Sequence, residues 1–179
     1  EPDEIFKQYS NEGAIYISDD FEFSNVLKIH AGLRYSSFQH SGYISFRDYI
    51  NNDLKFNNNN YRHIEPRLSF RYKLNTTSSF KGSYTENYQY IHLASTSSVS
   101  LPTDLWIPSS SLLKPKFSKQ YAVGYFKNLR DNMYESSAEV YYKEMDNLIE
   151  YKEGVLPEDN TNSSSDNAFT VGNGDSYGV

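Results

Sequence analysis

The feature that most limits how this chain folds is a strict alternation of apolar and polar residues. From Leu27 to Ser36 the odd positions are apolar, and the even positions are polar, charged or glycine. A period of two residues is that of a β-strand with one apolar and one wet face. The same period predicts further strands at residues 12–20, 64–74, 80–90, 117–129 and 134–146.

The links between these strands alternate strictly between short and long. Those at residues 21–25, 75–77 and 130–132 are short and contain Asn or Asp, which favour turns. Those at residues 39–63, 92–116 and 147–167 run to about twenty residues or more. An up-and-down meander then has all its turns at one end and all its loops at the other, as outer-membrane barrels do.

Tyrosines near the ends of the apolar faces support a membrane barrel. Tyr35, Tyr72, Tyr88 and Tyr90 are placed as an interfacial aromatic girdle would be. Glu86 interrupts one apolar face and is the main objection to a membrane barrel. A soluble β-sandwich also alternates, so it remains an alternative.

Composition narrows the class further. Aromatic residues make up 16% of the 179 residues, although the mean hydropathy is -0.72, and disordered chains are poor in aromatics. A net charge of -6 argues against nucleic acid as a partner. The absence of cysteine excludes disulfides and thiolate sites, and no apolar run is long enough for a transmembrane helix.

No pattern of catalysis or cofactor binding is found. The four histidines lack metal-ligand spacing, no serine lies in a G-x-S-x-G elbow, and GNGDSYG at residues 172–178 lacks the third glycine of a dinucleotide motif. We therefore expect no enzyme activity and no cofactor. The acidic start, Glu1 to Glu4, is unlike a signal peptide, and the last residues, 172–179, stop where a strand begins, so we expect an excised or truncated chain.

Four segments carry a family resemblance. They are LRY at 33–35, HIEPRLSFRYKL at 63–74, SYTENYQYIHLAS at 83–95 and, most specifically, LPTDLWIPSSSLLKPKFSKQYAVGYFKNL at 101–129. They resemble the C-terminal barrel of TonB-dependent outer-membrane receptors, in the form common in Bacteroidetes. Such receptors have a barrel of about 22 strands around a plug.

The resemblance implies that residues 1–179 are a fragment of one β-barrel domain, with six or seven strands and without the plug or the TonB box. It implies energy-coupled uptake of a siderophore, haem, cobalamin, glycan or peptide in the outer membrane of a Gram-negative bacterium. The implied partners are outer-membrane lipid, TonB, the receptor's own plug and a surface lipoprotein. The alternatives are a small complete outer-membrane barrel acting as a pore or adhesin, and a secreted carbohydrate-binding sandwich.

Candidate ligand contacts fall on the wet faces and in one loop. Arg34, Arg67 and Arg71 share the charged face with other cations, where they either meet substrate or brace the barrel together with Glu65 and Glu139. In the second long loop, Trp106 with nearby Asp104 either stacks on a ligand or anchors the loop. In the first loop, residues 45–56 have the spacing of a short amphipathic helix, and residues 57–60 are read as a polar loop tip.

Overall fold

The computed structural model describes residues 9–43, 56–94, 105–130, 133–153 and 168–179. Within them the fold is a seven-stranded antiparallel sheet and a two-stranded hairpin. The strands are β1 (Tyr9–Glu22), β2 (Leu27–Tyr43), β3 (Phe56–Lys73), β4 (Ser78–Gln89), β5 (Ile91–Ala94), β6 (Leu105–Pro108), β7 (Lys116–Leu129), β8 (Tyr134–Tyr151) and β9 (Phe169–Gly178).

The large sheet is a meander in the order β1-β2-β3-β4-β7-β8-β9. Its register keeps apolar residues opposite apolar residues: Ile17 pairs with Leu33, and Leu68 pairs with Tyr84. Directly opposed residues lie on the same face of a sheet. The sheet therefore has one continuous apolar face, here called the outer face, and one polar face, here called the inner face.

The outer face lacks a covering layer in the described part of the chain. Ile17 is 73% exposed and Ile64 is 62% exposed, although both are large and apolar. Such a face is stable against lipid but not against water. The described strands show neither a second sheet packed against this face, as a sandwich requires, nor pairing of β1 with β9, as a small closed barrel requires.

The predicted turn chemistry is confirmed in the second short turn, at Asn75, whereas in the first turn a serine takes the role expected of Asn or Asp. The Ser24 hydroxyl accepts hydrogen bonds from the backbone N–H groups of Val26 and Leu27, at 3.3 and 3.2 Å. The Asn75 carboxamide oxygen accepts from the Thr77 N–H at 2.9 Å. In the third turn Arg130 has a φ of 50°, a left-handed conformation that is uncommon without glycine. All three turns lie at one end of the sheet.

The first and third long links, residues 44–55 and 152–168, are shorter than predicted because the strands extend into them. Residues 57–60, expected as a loop tip, belong to β3 and pair with residues 39–42 of β2. These asparagines are polar because the strand continues past the apolar band, and a membrane crossing needs only about 9–11 residues. The helix expected over residues 45–56 lies almost entirely outside the described residues.

The described parts of the second long link, residues 90–94 and 105–115, fold back over the inner face. They contain the β5–β6 hairpin, whose Ala94 and Ile107 are buried with Leu113 against Ala168 and Phe169 at the start of β9. This is the hydrophobic core of the described chain. No helix among the described residues is long and apolar enough to cross a membrane.

Candidate functional site

The six cations predicted for the charged faces of β2, β3 and β4 lie on the inner face. The register brings Arg71 opposite Lys28 on one side and opposite Lys81 on the other, so that the charges form a ladder across three strands. The members of the ladder are Lys28, Arg34, Arg67, Arg71, Lys73 and Lys81.

The partners of these cations differ from those expected. Lys28 forms an ion pair with Glu22, and Arg34 lies 3.8 Å from the Glu12 carboxylate. The expected braces, Glu65 and Glu139, form no ion pair with the ladder among the described residues, although Glu65 is opposite Arg34. Glu65 instead accepts a hydrogen bond from the Ser36 hydroxyl at 2.7 Å, and Glu139 is opposite a glycine.

The ladder ends in a wide groove near the short turns. The groove has a volume of about 960 Å³, and its cations are Arg71, Lys73 and Lys81. Glu135 also lines it. Lys81 lies 3.9 Å from the centre of the Phe126 ring, a cation–π contact. In the described chain none of the three cations has an ion-pair partner, so this end of the inner face is strongly positive.

At the loop end of the inner face, Tyr90 closes a buried network. Its hydroxyl lies 2.6 Å from the Ser36 hydroxyl and 3.0 Å from His63 Nδ1. Since Ser36 donates to Glu65, it accepts from Tyr90, and the His63 Nδ1–H then donates to the Tyr90 oxygen. The Tyr90 ring stacks on Phe38, with centroids 5.0 Å apart. This contact fixes the start of the second long link onto β2 and β3.

The placement of Tyr90 corrects its predicted position in the aromatic girdle. β4 ends at Gln89, and Tyr90 is 2% exposed on the inner side. The sequence contains a sign of this change, because Tyr90 and Ile91 are adjacent apolar residues and break the alternation. Glu86, the expected objection to a lipid-facing surface, accepts a hydrogen bond from the Tyr84 hydroxyl and is opposite Lys119. This carboxylate therefore has a hydroxyl partner on its own strand and a lysine at the opposite register position.

The hairpin itself is held by His92 and Ser109. The Ser109 hydroxyl donates to the Tyr90 carbonyl oxygen at 2.8 Å and therefore accepts from His92 Nε2–H at 3.0 Å. His92 is 1% exposed, and its Nδ1 has no hydrogen-bond partner in the described chain. Burial, with a smaller contribution from the charge of Lys116, lowers the pKa of His92 to about 4. His92 is therefore neutral at physiological pH.

The opposite face of the hairpin points outward. Trp106 is 64% exposed and its partner Leu93 is 40% exposed. Trp106 therefore does not anchor the loop to the described strands; Tyr90, Ile107 and Leu113 do so. Asp104, the other loop candidate, lies outside the described residues. Trp106 and the arginines of the inner face lie on separate elements, and no contact joins them.

The described residues contain no group of three or more His, Asp or Glu side chains arranged to hold a metal ion. The inner face offers positive charge and hydrogen-bond donors, and the hairpin offers an exposed aromatic side chain. The inner face can therefore bind anionic or hydrogen-bond-accepting groups of a ligand, and the hairpin can stack on an aromatic or sugar ring.

The family described as TonB dependent receptor-like, beta-barrel matches residues 2–179. The chain belongs to the TonB-dependent receptor barrel family. This family consists of transport receptors rather than enzymes, and membership places the chain in the outer membrane of a Gram-negative bacterium. The outer face is accordingly the lipid face, and the inner face lines the barrel.

A solved structure shares this fold. The alcaligin outer-membrane receptor FauA of Bordetella pertussis aligns with a TM-score of 0.56 and 18% identity over 95% of this chain. The chain described here spans 26% of the length of FauA. No curated protein sequence matches it.

Proposed function

We propose that this chain forms part of a receptor that takes up a nutrient across the outer membrane with energy supplied through TonB. The nutrient belongs to the siderophore, haem, cobalamin, glycan or peptide classes. The proposed partners are TonB, the receptor's own plug, outer-membrane lipid and a surface lipoprotein. The sequence at residues 101–129 supports the form of receptor common in Bacteroidetes.

The observation that carries this proposal is the fixed hairpin at the loop end. Its buried side is attached to β2 and β3 through Tyr90 and to β9 through Ile107, while Trp106 stays exposed. Ligand contacts concentrate on loops held by a rigid scaffold, and an exposed Trp has both an apolar ring and an N–H donor. We propose Trp106 and Asp104 as first contacts, with Arg34, Arg67 and Arg71 along the barrel interior.

Uptake in living cells tests the proposal. Cells with the full-length receptor are compared with cells lacking either the receptor or TonB, on each nutrient class as the limiting source. We expect growth on one class to require both proteins. Growth on every class without the receptor would contradict the proposal.

A pair of loop variants tests the role of Trp106. Trp106→Ala is expected to weaken binding of that nutrient at least about tenfold, since a stacked aromatic ring is a common hot spot. Leu112→Ala is the matched control, because Leu112 is 56% exposed in the same link. Equal binding by both variants, or a fall in melting temperature that accompanies the loss in Trp106→Ala, would refute a direct contact.

A further inference from the structure

A small recess opens on the inner face beside the loop end, next to Arg67 of the basic ladder. Its volume is about 340 Å³. Gln89 is the last residue of β4 and Lys116 is the first of β7, so the recess lies where both strands meet the second long link. Its polar lining consists of Asn87, Gln89, Lys116, Ser118 and Lys143.

Two lysines in this recess have no carboxylate partner among the residues that the structure describes. Lys116 and Lys143 are close enough to repel each other, and both are partly buried. Like charges in a partly desolvated position are unfavourable unless an anion accompanies them.

The nearby carboxylates do not fill this role. Glu65, Glu86 and Asp146 all act electrostatically on Tyr88, which also lines the recess. Glu65 lies on β3, two strands away from Lys116 in the sheet, and Glu86 is opposite Lys119 on the outer face. Asp146 is opposite Phe117, on the side of the sheet away from the lysines.

The remaining polar groups of the recess supply donors. The Asn87 side-chain oxygen accepts a hydrogen bond from Arg67 at 3.2 Å, which leaves its NH₂ group to donate elsewhere. The Ser118 hydroxyl is one strand away, opposite Asn87. Two cations with a carboxamide N–H and a hydroxyl make a donor set suited to carboxylate or phosphate oxygens.

We propose that this recess binds an anionic group, a carboxylate or a phosphate, of the ligand that the receptor transports. This inference rests on the proposed function and adds a ligand class to it. The position of the recess favours an incoming ligand, because it lies at the loop end of the sheet and not beside the short turns. Lys116 and Lys143 bind the anion, and Asn87 and Ser118 orient it.

The test uses the purified full-length receptor in maltoside detergent with inorganic phosphate as the probe. Line broadening in ³¹P NMR measures phosphate binding, and competition by citrate shows whether carboxylates enter the same site. We expect Lys116→Gln and Lys143→Gln each to weaken binding about tenfold or more. Lys116→Arg retains the charge and is expected to retain binding.

Lys127→Gln is the matched control, because Lys127 lies on the same strand but is exposed on the other face. It is expected to bind like the parent receptor. Removing one of two repelling lysines is not expected to lower the melting temperature, so the variants remain informative. A lower melting temperature in Lys116→Gln, without phosphate or citrate binding to the parent, would show that the receptor's own carboxylate fills the recess and would overturn the proposal.

Each of the remaining outcomes supports or refutes anion binding in the recess. Binding of only one anion supports the proposal and identifies its source as phosphate or carboxylate. No broadening and no competition, or equal broadening in Lys116→Gln and the parent, refutes it. TonB-dependent uptake that is unchanged in Lys116→Gln refutes the link to the ligand but leaves the proposed function standing, whereas uptake independent of TonB contradicts the proposed function whatever the recess binds.

Discussion

At the scale of single residues, Tyr90 determines where the second long link lies. It joins Ser36 and His63, residues that precede it by 54 and 27 positions, and its ring stacks on Phe38. Removing this buried hydroxyl breaks both of its hydrogen bonds and leaves His63 Nδ1–H without its Tyr90 acceptor. Tyr90 therefore attaches the start of the link to β2 and β3 through its side chain.

Tyr90→Phe tests this role. It keeps the stacking ring and removes the hydroxyl, so we expect local stability of the hairpin to fall by about 1–3 kcal/mol. Hydrogen exchange of residues 91–94 and 105–108 in the full-length receptor should accelerate accordingly. Tyr88→Phe is the control, since the Tyr88 hydroxyl makes no hydrogen bond in the described chain while its ring stacks on His63 at 3.7 Å. Equal exchange in both variants would show that the ring alone holds the link.

At the scale of elements, the hairpin is expected to respond to acid. Its His92 has a folded pKa of about 4, against about 6.5 when unfolded. Between these two pH values His92 binds a proton when the hairpin is open but not when it is closed. The contribution of His92 to the stability of the closed hairpin is therefore complete above pH 6.5 and decreases as the pH falls towards 4. The total loss is on the order of 3 kcal/mol.

Hydrogen exchange of β5 at pH 7.5 and pH 5 measures this loss. We expect faster opening at pH 5 after correction for the intrinsic exchange rate, and a weaker pH dependence in His92→Gln. His30→Gln is the control, because His30 is exposed and contacts Asp20 at 2.8 Å. If His92→Gln showed the same pH dependence as the parent receptor, the acid response would come from groups other than His92.

The sequence predicts the strands better than the hairpin for a physical reason. The faces of β2, β3 and β7 follow from a local period of two, which needs no knowledge of distant residues. The extended end of β3, residues 57–60, was missed because asparagine disfavours strands and is overridden here by pairing with β2. Burial of Tyr90 and His92 depends on contacts between distant strands, which no local pattern records.

At the scale of the whole molecule, the two faces of the sheet meet different solvents. Leu68 lies on the outer face at the middle of the apolar run of β3, opposite Tyr84. Ser83 is the neighbour of Tyr84 and points to the inner face, opposite Ser69. The same charge placed at these adjacent positions therefore meets lipid in one case and the barrel interior in the other.

Leu68→Lys and Ser83→Lys turn this difference into a measurement in the full-length receptor. A lysine near the bilayer midplane costs about 2–4 kcal/mol, whereas a lumen-facing charge keeps its water. We expect Leu68→Lys to lower the amount of folded receptor in the outer membrane and its unfolding midpoint in denaturant, and Ser83→Lys to change both little. The two positions lie at nearly the same height along the sheet and differ mainly in the face to which the side chain points. If Ser83→Lys were the less stable variant, the two faces would be assigned the wrong way round. Equal effects would mean that neither face contacts lipid, and the barrel arrangement would then be wrong.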